Sequence, residues 1–248
     1  MSVTTSDRKI HNPEELKDFA DSLGQGERKA SIHVCRGTGC TASGSGELYE
    51  ARVECAREQG LEDEVLIKGT GCHGLCELGP LVVTRPDGVF YSDVGPEDAS
   101  DVLESAVDES AVVERLLYEG AEGPLVHEDE IPFYSRQHRI ALRLNGIVDP
   151  MSIEDYIAAG GYRALGKALS MTPAQVLDEV EASKLRGRGG AGFPAGRKWR
   201  LCAEQPASPR YLICNADEGD PGAFMDRSIL EGNPHGVIEG LLIGAWAI

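Results

Sequence analysis

Two close pairs of cysteines constrain the fold of this 248-residue chain more than any other feature. Each pair follows a short apolar segment with the residue types of a β-strand, residues 31–34 and residues 65–68. The loops that carry the pairs, C-R-G-T-G-C and G-T-G-C-H-G-L-C, are rich in glycine. Because strands of one sheet can end side by side, we predict that the four thiols meet at one edge of a small α/β sheet. The four cysteines are Cys35, Cys40, Cys72 and Cys76.

Four thiolates form a soft, tetrahedral donor set, which suits either zinc or an iron–sulfur cluster. The spacing alone leaves these two alternatives open, together with a structural role without metal. Small residues between the cysteines free backbone N–H groups to reach sulfur, as the tuning of a cluster requires. His73 lies between two of the cysteines, but the set of four is already complete. We therefore predict that His73 lies beside the site or at the surface and is not a ligand.

The other three cysteines lie in helical or apolar contexts, which predicts buried core positions for Cys55, Cys202 and Cys214. The N-terminus, M-S-V-T-T-S-D-R-K, has no apolar signal core. An odd number of cysteines without a secretion signal argues against a disulfide framework and predicts a reducing, cytoplasmic location.

The chain is acidic, with 41 Asp and Glu residues against 24 Lys and Arg and a formal net charge of −17. This charge disfavours general binding to nucleic acid or to an anionic membrane surface. No run of apolar residues reaches the roughly 18 that a membrane span needs.

Local patterns predict a small α/β domain in residues 1–118, an acidic linker in residues 119–130 and a second domain in residues 131–248. In the first domain we predict helices at residues 12–23, 46–59, 98–107 and 110–118, and a hairpin at residues 81–92. In the second we predict helices at residues 152–159, 161–169, 173–182 and 235–248, and a buried strand at residues 210–214. Thr172 begins a capping box, T-P-A-Q. The last helix has no stop signal, from which we expect the sequence to be truncated at its C-terminus.

A glycine-rich basic segment, residues 184–199, reverses the charge of the chain locally. Its sequence, K-L-R-G-R-G-G-A-G-F-P-A-G-R-K-W, holds five glycines, five basic residues and no acid. Glycines let a phosphate or a flat ring approach the backbone closely, and the positive charge favours an anionic ligand. The segment follows a predicted helix, so it is not the strand-first dinucleotide fingerprint. Taken alone, it is also compatible with a surface turn.

An acidic loop, N-A-D-E-G-D-P-G at residues 215–222, follows the predicted strand at residues 210–214. In α/β proteins, ligands bind at the carboxyl ends of strands. Carboxylate and amide groups there suit the hydroxyl groups of a ribityl or ribose chain, although a solvated turn would have the same composition. We therefore treat the two loops together as a candidate cofactor site.

Residues 10–118, with their four-cysteine pattern on a small α/β unit, resemble the thioredoxin-like [2Fe-2S] ferredoxin domain of complex I and of related hydrogenase and formate dehydrogenase subunits. Residues 130–248 resemble the 51 kDa-type flavoprotein subunit of complex I, which binds FMN and NADH. The second resemblance rests on G-R-G-G-A-G-F-P-x-G-x-K-W and on Y-L-I-C-N-A-D-E-x-x-P-G. The implied fold is α/β, a thioredoxin-like ferredoxin domain followed by the first part of an α/β FMN-binding domain.

The resemblance implies which residues bind cofactors. The four cysteines would hold a [2Fe-2S] cluster, Lys198 and the glycines would line the FMN site, and Phe193 would stack on the nucleotide side. Asp220 stands where the family typically has Glu, which leaves the choice between NAD and NADP open. The implied FMN and nucleotide residues are Gly187, Arg188, Gly189, Gly190, Gly192, Phe193, Lys198, Asn215, Asp217, Glu218 and Asp220.

A ferredoxin domain in front of the flavoprotein domain is the plan of flavoprotein subunits in soluble NAD(P)-linked hydrogenases and some formate dehydrogenases. It implies an oxidoreductase subunit that passes electrons between NAD(P)H, FMN and iron–sulfur clusters, with other iron–sulfur subunits as partners. The [4Fe-4S] motif of the family is absent from this sequence, so we expect that cluster only in a full-length protein. The alternatives are a non-catalytic [2Fe-2S] electron carrier and a zinc-binding interaction module.

Overall fold

The structure, a computed structural model, describes residues 9–23, 28–108 and 111–248. The chain divides into two compact units. The cysteine unit comprises Gly26–Tyr156 and Glu218–Pro234, and the loop unit comprises Met1–Gln25, Ile157–Asp217 and His235–Ile248. These units cross the predicted domain limits, because residues 131–156 and the segment from Glu218 to Pro234 belong with the cysteines.

The helices and strands follow the predicted order closely. In chain order they are α1 Pro13–Leu23, β1 Ala30–Cys35, α2 Thr38–Ala42, α3 Ser45–Glu58, β2 Val65–Thr70, β3 Val82–Arg85, β4 Phe90–Tyr91, α4 Ala99–Val107, β5 Tyr118–Gly120, β6 Gly123–Leu125, α5 Pro132–Ser135, α6 Ile153–Ala158, α7 Arg163–Leu169, α8 Pro173–Ala182, α9 Ala195–Ala203, α10 Met225–Gly232 and α11 Pro234–Ala247. The Thr172 side chain accepts from Gln175 N at 3.3 Å, which confirms the capping box before α8. The helices α2, α5, α9 and α10 and the strands β5 and β6 were not predicted.

The cysteine unit is built on a four-stranded sheet in the order β2-β1-β3-β4. Strands β1 and β2 are parallel and are joined through α3, whereas β3 is antiparallel to both β1 and β4. This arrangement confirms the predicted hairpin. The carboxyl ends of β1 and β2 lie side by side, with Cys35 opposite Thr70, so the loops that follow them share one edge of the sheet.

Alternation along the strands separates two apolar cores. Ile32 and Val34 of β1 face a core with α3 and α4, with Leu48, Val102 and Leu103 fully buried in it. The next residue, Cys35, turns to the opposite face, where it packs with Cys40, Leu75, Leu81, Val83, Phe90, Ile131 and Tyr134. The alternation therefore directs the first cysteine away from the helices and into the second core.

The predicted linker differs from the structure. Residues 119–130 include β5 and β6, which pair with each other. The segment is also hydrogen-bonded to the sheet, since Phe90 N donates to Val126 O and Glu128 N donates to Gly88 O, both at 2.9 Å. The helix predicted at residues 110–118 is wrong in its described part, which holds a 3-10 turn at Glu114–Leu116 followed by β5. Backbone bonds to the sheet override the local helical pattern there.

The loop unit is mainly helical in its described residues. Helices α1 and α7 pack together, and so do α8 and α9. The strand predicted at residues 210–214 is wrong, because that segment is irregular and exposes 75% of Tyr211 and 82% of Ile213. A strand needs a hydrogen-bonded neighbour, and none pairs with it among the residues that the structure describes.

Candidate functional site

The four cysteines meet at the end of β1 and β2, as the sequence predicts. Cys35 ends β1, Cys40 lies in α2, and the Sγ atoms of Cys72 and Cys76 are 3.4 Å apart in the loop after β2. The Cys35 thiol donates to Gly71 O at 3.9 Å. Interaction with the Cys40 thiol is the main cause that raises the pKa of Cys35 to about 12, and the same interaction lowers the pKa of Cys40. Cys35 is also within hydrogen-bonding reach of Cys72, so the two pairs form one cluster of thiols.

Three glycines allow the cysteine loops to approach this closely. A Cβ built on Gly37 would lie 2.7 Å from the Cβ of Cys72, and one on Gly39 would lie 2.8 Å from that of Cys76. A Cβ on Gly79 would lie 2.7 Å from the Sγ of Cys40. Side chains at these positions would therefore fill the space between the thiols.

Burial of the thiols is uneven. Cys35 and Cys40 are fully buried, whereas Cys72 is half-buried and Cys76 is exposed. A cavity of about 470 Å³ opens beside Cys72 and Cys76. It is lined also by Arg36 of the first loop and by Phe224 and Arg227 near the start of α10. In the described residues, no three His, Cys, Asp or Glu side chains surround one common point as a single-ion site would require. Four soft thiols kept apart from other side chains by glycine fit an iron–sulfur cluster held by two cysteine pairs.

Two buried histidines lie behind the thiols. The Nδ1 atom of His33 is 2.9 Å from the carbonyl oxygen of Gly146, and Nε2 of His73 is 3.1 Å from Oγ1 of Thr70. Burial lowers the pKa of each histidine to about 4, so both are neutral near pH 7. His73 is therefore a buried neighbour of the site and not a surface residue.

The remaining cysteines divide between core and surface. Cys55 packs against the first core and accepts a hydrogen bond from Gln59 at 3.3 Å, and Cys202 is half-buried. Cys214 is exposed, so its predicted core position is wrong. The cause is the missing strand at residues 210–214, which leaves this segment without a covering layer.

The glycine-rich loop follows α8, as predicted, and it precedes α9. It closes through Gly187 N to Phe193 O at 2.8 Å and Ala195 N to Leu185 O at 2.8 Å. The Arg186 side chain also donates to Gly192 O at 2.6 Å. Inside this frame, a Cβ on Gly189 would meet nothing within 4 Å. The backbone at the tip of the loop is therefore open to a ligand.

The basic side chains of the loop differ in their partners. Arg200 is paired with Asp178 at 2.7 Å and with Glu181 at 2.8 Å, so its charge is largely compensated. Arg197 lies over the Phe193 ring at 5.8 Å. Lys198 is exposed and has no ion-pair partner in the described residues. Of the charges on α9, those of Arg197 and Lys198 thus have no acidic partner among the described residues and are available to an anion.

The acidic loop, residues 215–222, holds several of the predicted cofactor residues. Asn215 and Asp217 are exposed, and the Asn215 side chain accepts from Asp217 N at 3.1 Å. No hydrogen bond joins these two residues to the glycine-rich loop within the described chain. Asp220 is exposed. The predicted cofactor residues Asn215 and Asp217 are therefore bonded to each other and not to the loop that they are expected to face.

Glu218 has a structural role that the sequence did not reveal. Its carboxylate accepts from the backbone N–H groups of Met225, Asp226 and Arg227, the last two at 2.9 Å. These are unpaired donors of the first turn of α10, so Glu218 caps that helix from outside. The hydrogen bond from Arg227 N is the main cause that lowers the pKa of Glu218.

Sequence reasoning also missed the turn behind the cysteines. Asn145 is 2% exposed and donates through Nδ2 to Cys72 O at 3.4 Å and to Ser228 O at 3.0 Å. Gly146 follows with φ +78°, and a Cβ there would lie 2.7 Å from the His73 ring. The N-G dipeptide is a recognisable turn signal. Its contact partners are not readable from the sequence.

Two family models match the chain in succession. Residues 24–107 match the thioredoxin-like [2Fe-2S] ferredoxin family, and residues 180–248 match the Nuo51 FMN-binding domain. These matches confirm the predicted α/β ferredoxin fold and the two predicted cofactor classes, an iron–sulfur cluster and FMN. No helix in the described part of the chain is long and apolar enough to cross a membrane.

Relatives cover parts of the chain. The NADP-reducing hydrogenase subunit HndC of Solidesulfovibrio fructosivorans is 58% identical over 113 residues, which is 46% of this chain and 23% of the relative. A subunit of the NADH-quinone oxidoreductase of Aquifex aeolicus is 56% identical over 97 residues, which is 39% of this chain and 22% of the relative. The chain thus spans about a quarter of the length of these curated relatives.

A solved structure matches the cysteine-bearing part. The thioredoxin-like [2Fe-2S] ferredoxin from Aquifex aeolicus is 31% identical, and the match covers 40% of this chain and 97% of the ferredoxin, with a TM-score of 0.35. Residues 24–107 are thus similar to the thioredoxin-like [2Fe-2S] ferredoxin family, and residues 180–248 are similar to the Nuo51 FMN-binding domain family, each match covering less than half of the chain.

Proposed function

We propose that the chain is an electron-transferring NAD(P)H dehydrogenase (diaphorase) subunit of a soluble multisubunit redox complex. The observation that carries this proposal is the presence, on one chain, of an assembled four-thiol site and an open, basic glycine-rich loop. The first suits a one-electron carrier and the second suits a phosphate-bearing cofactor. The names of the relatives, a hydrogenase subunit and an NADH-quinone oxidoreductase subunit, support the same assignment.

The residues of the glycine-rich loop would bind and orient FMN. The open backbone at Gly189 and Gly190 offers N–H groups without side chains in the way, and Lys198 offers uncompensated positive charge. Bound FMN supplies the chemistry that links two-electron exchange with a nicotinamide to one-electron exchange with iron–sulfur centres. No residue of the chain has to act as a nucleophile, so the protein's task is to position cofactors.

The cysteine site would hold a [2Fe-2S] cluster through Cys35, Cys40, Cys72 and Cys76. The buried pair would anchor the cluster in the second core, and the pair beside the cavity would leave one edge close to solvent. For electron transfer, a redox partner has to come close to one edge of the cluster, while the rest of the cluster stays shielded from solvent. The uneven burial therefore suits a carrier better than a closed structural zinc site.

The test is an anaerobic visible spectrum of the purified chain after incubation with FMN, before and after addition of NADH or NADPH. The proposal predicts flavin and iron–sulfur absorption that both bleach with a nicotinamide. Lys198→Ala should weaken FMN binding roughly tenfold, because it removes a charge beside an anionic ligand. Lys167→Ala is the matched control, since Lys167 is paired with Glu179 away from the loop. Equal FMN affinity in the two variants would contradict the assigned site.

The arrangement of the acidic loop favours a second candidate, a non-catalytic [2Fe-2S] electron carrier. Both carboxylate oxygens of Glu218 accept hydrogen bonds from the backbone of α10. In the described residues, no hydrogen bond joins Asn215 or Asp217 to the glycine-rich loop. Iron–sulfur absorption that dithionite bleaches, without retained FMN and without a response to NADH, would establish this carrier function in place of the first.

The partners and location that we propose follow from the same assignment. The partners would be iron–sulfur subunits of a hydrogenase, a formate dehydrogenase or a related complex, and the location would be the cytoplasm. The charge of −17 supports neither nucleic acid nor an anionic membrane as a partner.

A further inference from the structure

A buried asparagine lies between the cysteine loop and a distant helix. Asn145 is separated from Cys72 by 73 residues and from Ser228 by 83, yet its Nδ2 atom donates to the backbone carbonyl oxygens of both. It is 2% exposed, and the bond to Ser228 is the shorter one, 3.0 Å against 3.4 Å. One amide group therefore ties the backbone of a cluster ligand to α10.

The residue after Asn145 contacts the other side of the site. The carbonyl oxygen of Gly146 is 2.9 Å from Nδ1 of His33, which precedes Cys35 by two residues on β1. The same glycine lies against the ring of His73, too close for a side chain to be added. The Asn145–Gly146 turn thus contacts both sides of the site: Asn145 bonds to Cys72 in the loop after β2, and Gly146 bonds to His33 in β1.

Helix α10 supports this turn from behind. A Cβ on Gly232, its last residue, would clash with the Asn145 side chain, and a Cβ on Gly71 would clash with the backbone of Gly232. The start of the helix is fixed by the Glu218 carboxylate. The cysteine loop, the turn and α10 are therefore in close contact, with glycine at the points where the backbones meet.

We propose that Asn145 is a positioning residue for the iron–sulfur cluster and that it acts by fixing the backbone of Cys72 against α10. This inference rests on the [2Fe-2S] site of the proposed function. Groups behind the ligands of a metal site orient those ligands and tune the metal, and loss of one typically lowers metal affinity by about 10- to 100-fold. The pair Cys72 and Cys76 depends most on such support, because Cys72 is only half-buried and Cys76 is exposed.

The test uses the full chain with its cluster reconstituted from iron and sulfide, without FMN or nicotinamide. Asn145→Ala removes both hydrogen bonds. Ser228→Ala is the matched control, because it removes a side chain but keeps the carbonyl oxygen that accepts from Asn145. Two quantities are measured: the rate at which a chelator takes iron from the cluster, and the reduction potential in a dye-mediated titration followed by electron paramagnetic resonance.

We expect Asn145→Ala to release iron roughly tenfold faster and to change the potential and the resonance spectrum of a protein whose far-ultraviolet circular dichroism is unchanged. Ser228→Ala should behave like the parent chain. Wild-type rates, potential and spectrum in Asn145→Ala would overturn the proposal. Absence of any cluster in the parent chain would instead contradict the proposed function.

A second variant answers the question if Asn145→Ala does not fold. Gly232→Ala introduces a methyl group that displaces the Asn145 amide while the amide itself is kept. It should also speed iron release and shift the spectrum. If neither variant folds, or if Gly232→Ala folds and leaves the cluster unchanged, the turn is a general stability element and the proposal is wrong.

Discussion

The cysteine site and the glycine-rich loop use glycine for opposite purposes. At the cysteine site, Gly37 and Gly79 are surrounded by protein atoms, and a Cβ on either would lie 2.7 Å from a cysteine of the four-thiol group. At the tip of the glycine-rich loop, a Cβ on Gly189 would meet nothing within 4 Å. At the cysteine site, glycine allows two segments of the chain to pack closely. In the glycine-rich loop, glycine leaves the backbone accessible to a ligand.

This difference distinguishes a preformed site from a site that a ligand completes. The thiols contact one another because the sheet edge and the second core bring them together. The loop has a closed hydrogen-bonded frame, but its exposed tip has no protein partner in the described residues. Four substitutions, each with a matched control, test whether the two regions differ in this way.

The largest effect is expected at the thiols. Cys72→Ala should abolish the visible absorption of the reconstituted cluster, because alanine supplies no ligand atom for iron. Cys214→Ala, on the exposed segment of the loop unit, should leave the absorption unchanged. Iron and sulfide content measured beside the spectrum checks both. A cluster of normal intensity in Cys72→Ala would mean that this cysteine is not a ligand.

The next effect concerns stability of the two regions. Leu103 is fully buried between α4 and the sheet, so Leu103→Ala should lower the free energy of unfolding by about 2–5 kcal/mol. Ile213 is 82% exposed, so Ile213→Ala should change it by less than about 0.5 kcal/mol. Urea unfolding followed by circular dichroism measures both. A large loss for Ile213→Ala would show that residues 210–214 are covered in solution.

The third effect tests the two uses of glycine directly. Gly37→Ala places a methyl group against the backbone and side chain of Cys72, which should cost about 1–3 kcal/mol of stability and reduce cluster content. Gly189→Ala should leave the melting temperature and the cluster unchanged, and should weaken only the binding of FMN. Equal loss of cluster content in both variants would contradict the distinction between the regions.

The smallest effect separates open from packed glycines within helices of the loop unit. Gly240 lies in α11 with open space at its Cβ position, so Gly240→Ala should stabilise the unit by up to about 1 kcal/mol. Gly196 of α9 lies against the backbone of Glu181 in α8, so Gly196→Ala should destabilise it. The melting temperature of each variant checks the signs. The same sign for both would mean that α8 and α9 are not packed as described.

The regular elements of the cysteine unit were largely predictable because their signals are local. Short apolar segments at residues 31–34 and 65–68 predict β1 and β2, and a D-G turn predicts the β3–β4 hairpin. The strand at residues 210–214 failed for a related reason. Its apolar composition is a local property, but a strand also needs a neighbour to pair with, and the sequence pattern does not report whether one is there.

At the acidic segment, residues 119–130, local composition likewise fails to predict contacts with distant residues. Its composition is that of a solvated linker, yet the hydrogen bonds of Val126 and Glu128 to the sheet hold it in the cysteine unit. Glu218 is similar, since its type and position suggest a cofactor ligand and its contacts make it a helix cap. In both cases contacts to distant residues outweigh local composition.

The sequence by itself determined the chemistry of this protein: which cysteines group together, which loop is basic and open, and which two families its segments resemble. These features reside in spacing over a few residues, where residue type and backbone preference act directly. Only the tertiary structure decided how the cysteine loops are supported, with Asn145, Gly146 and α10 packed behind Cys72 and His73. Such contacts join residues more than 70 positions apart, and close packing between them leaves no periodic pattern in the chain.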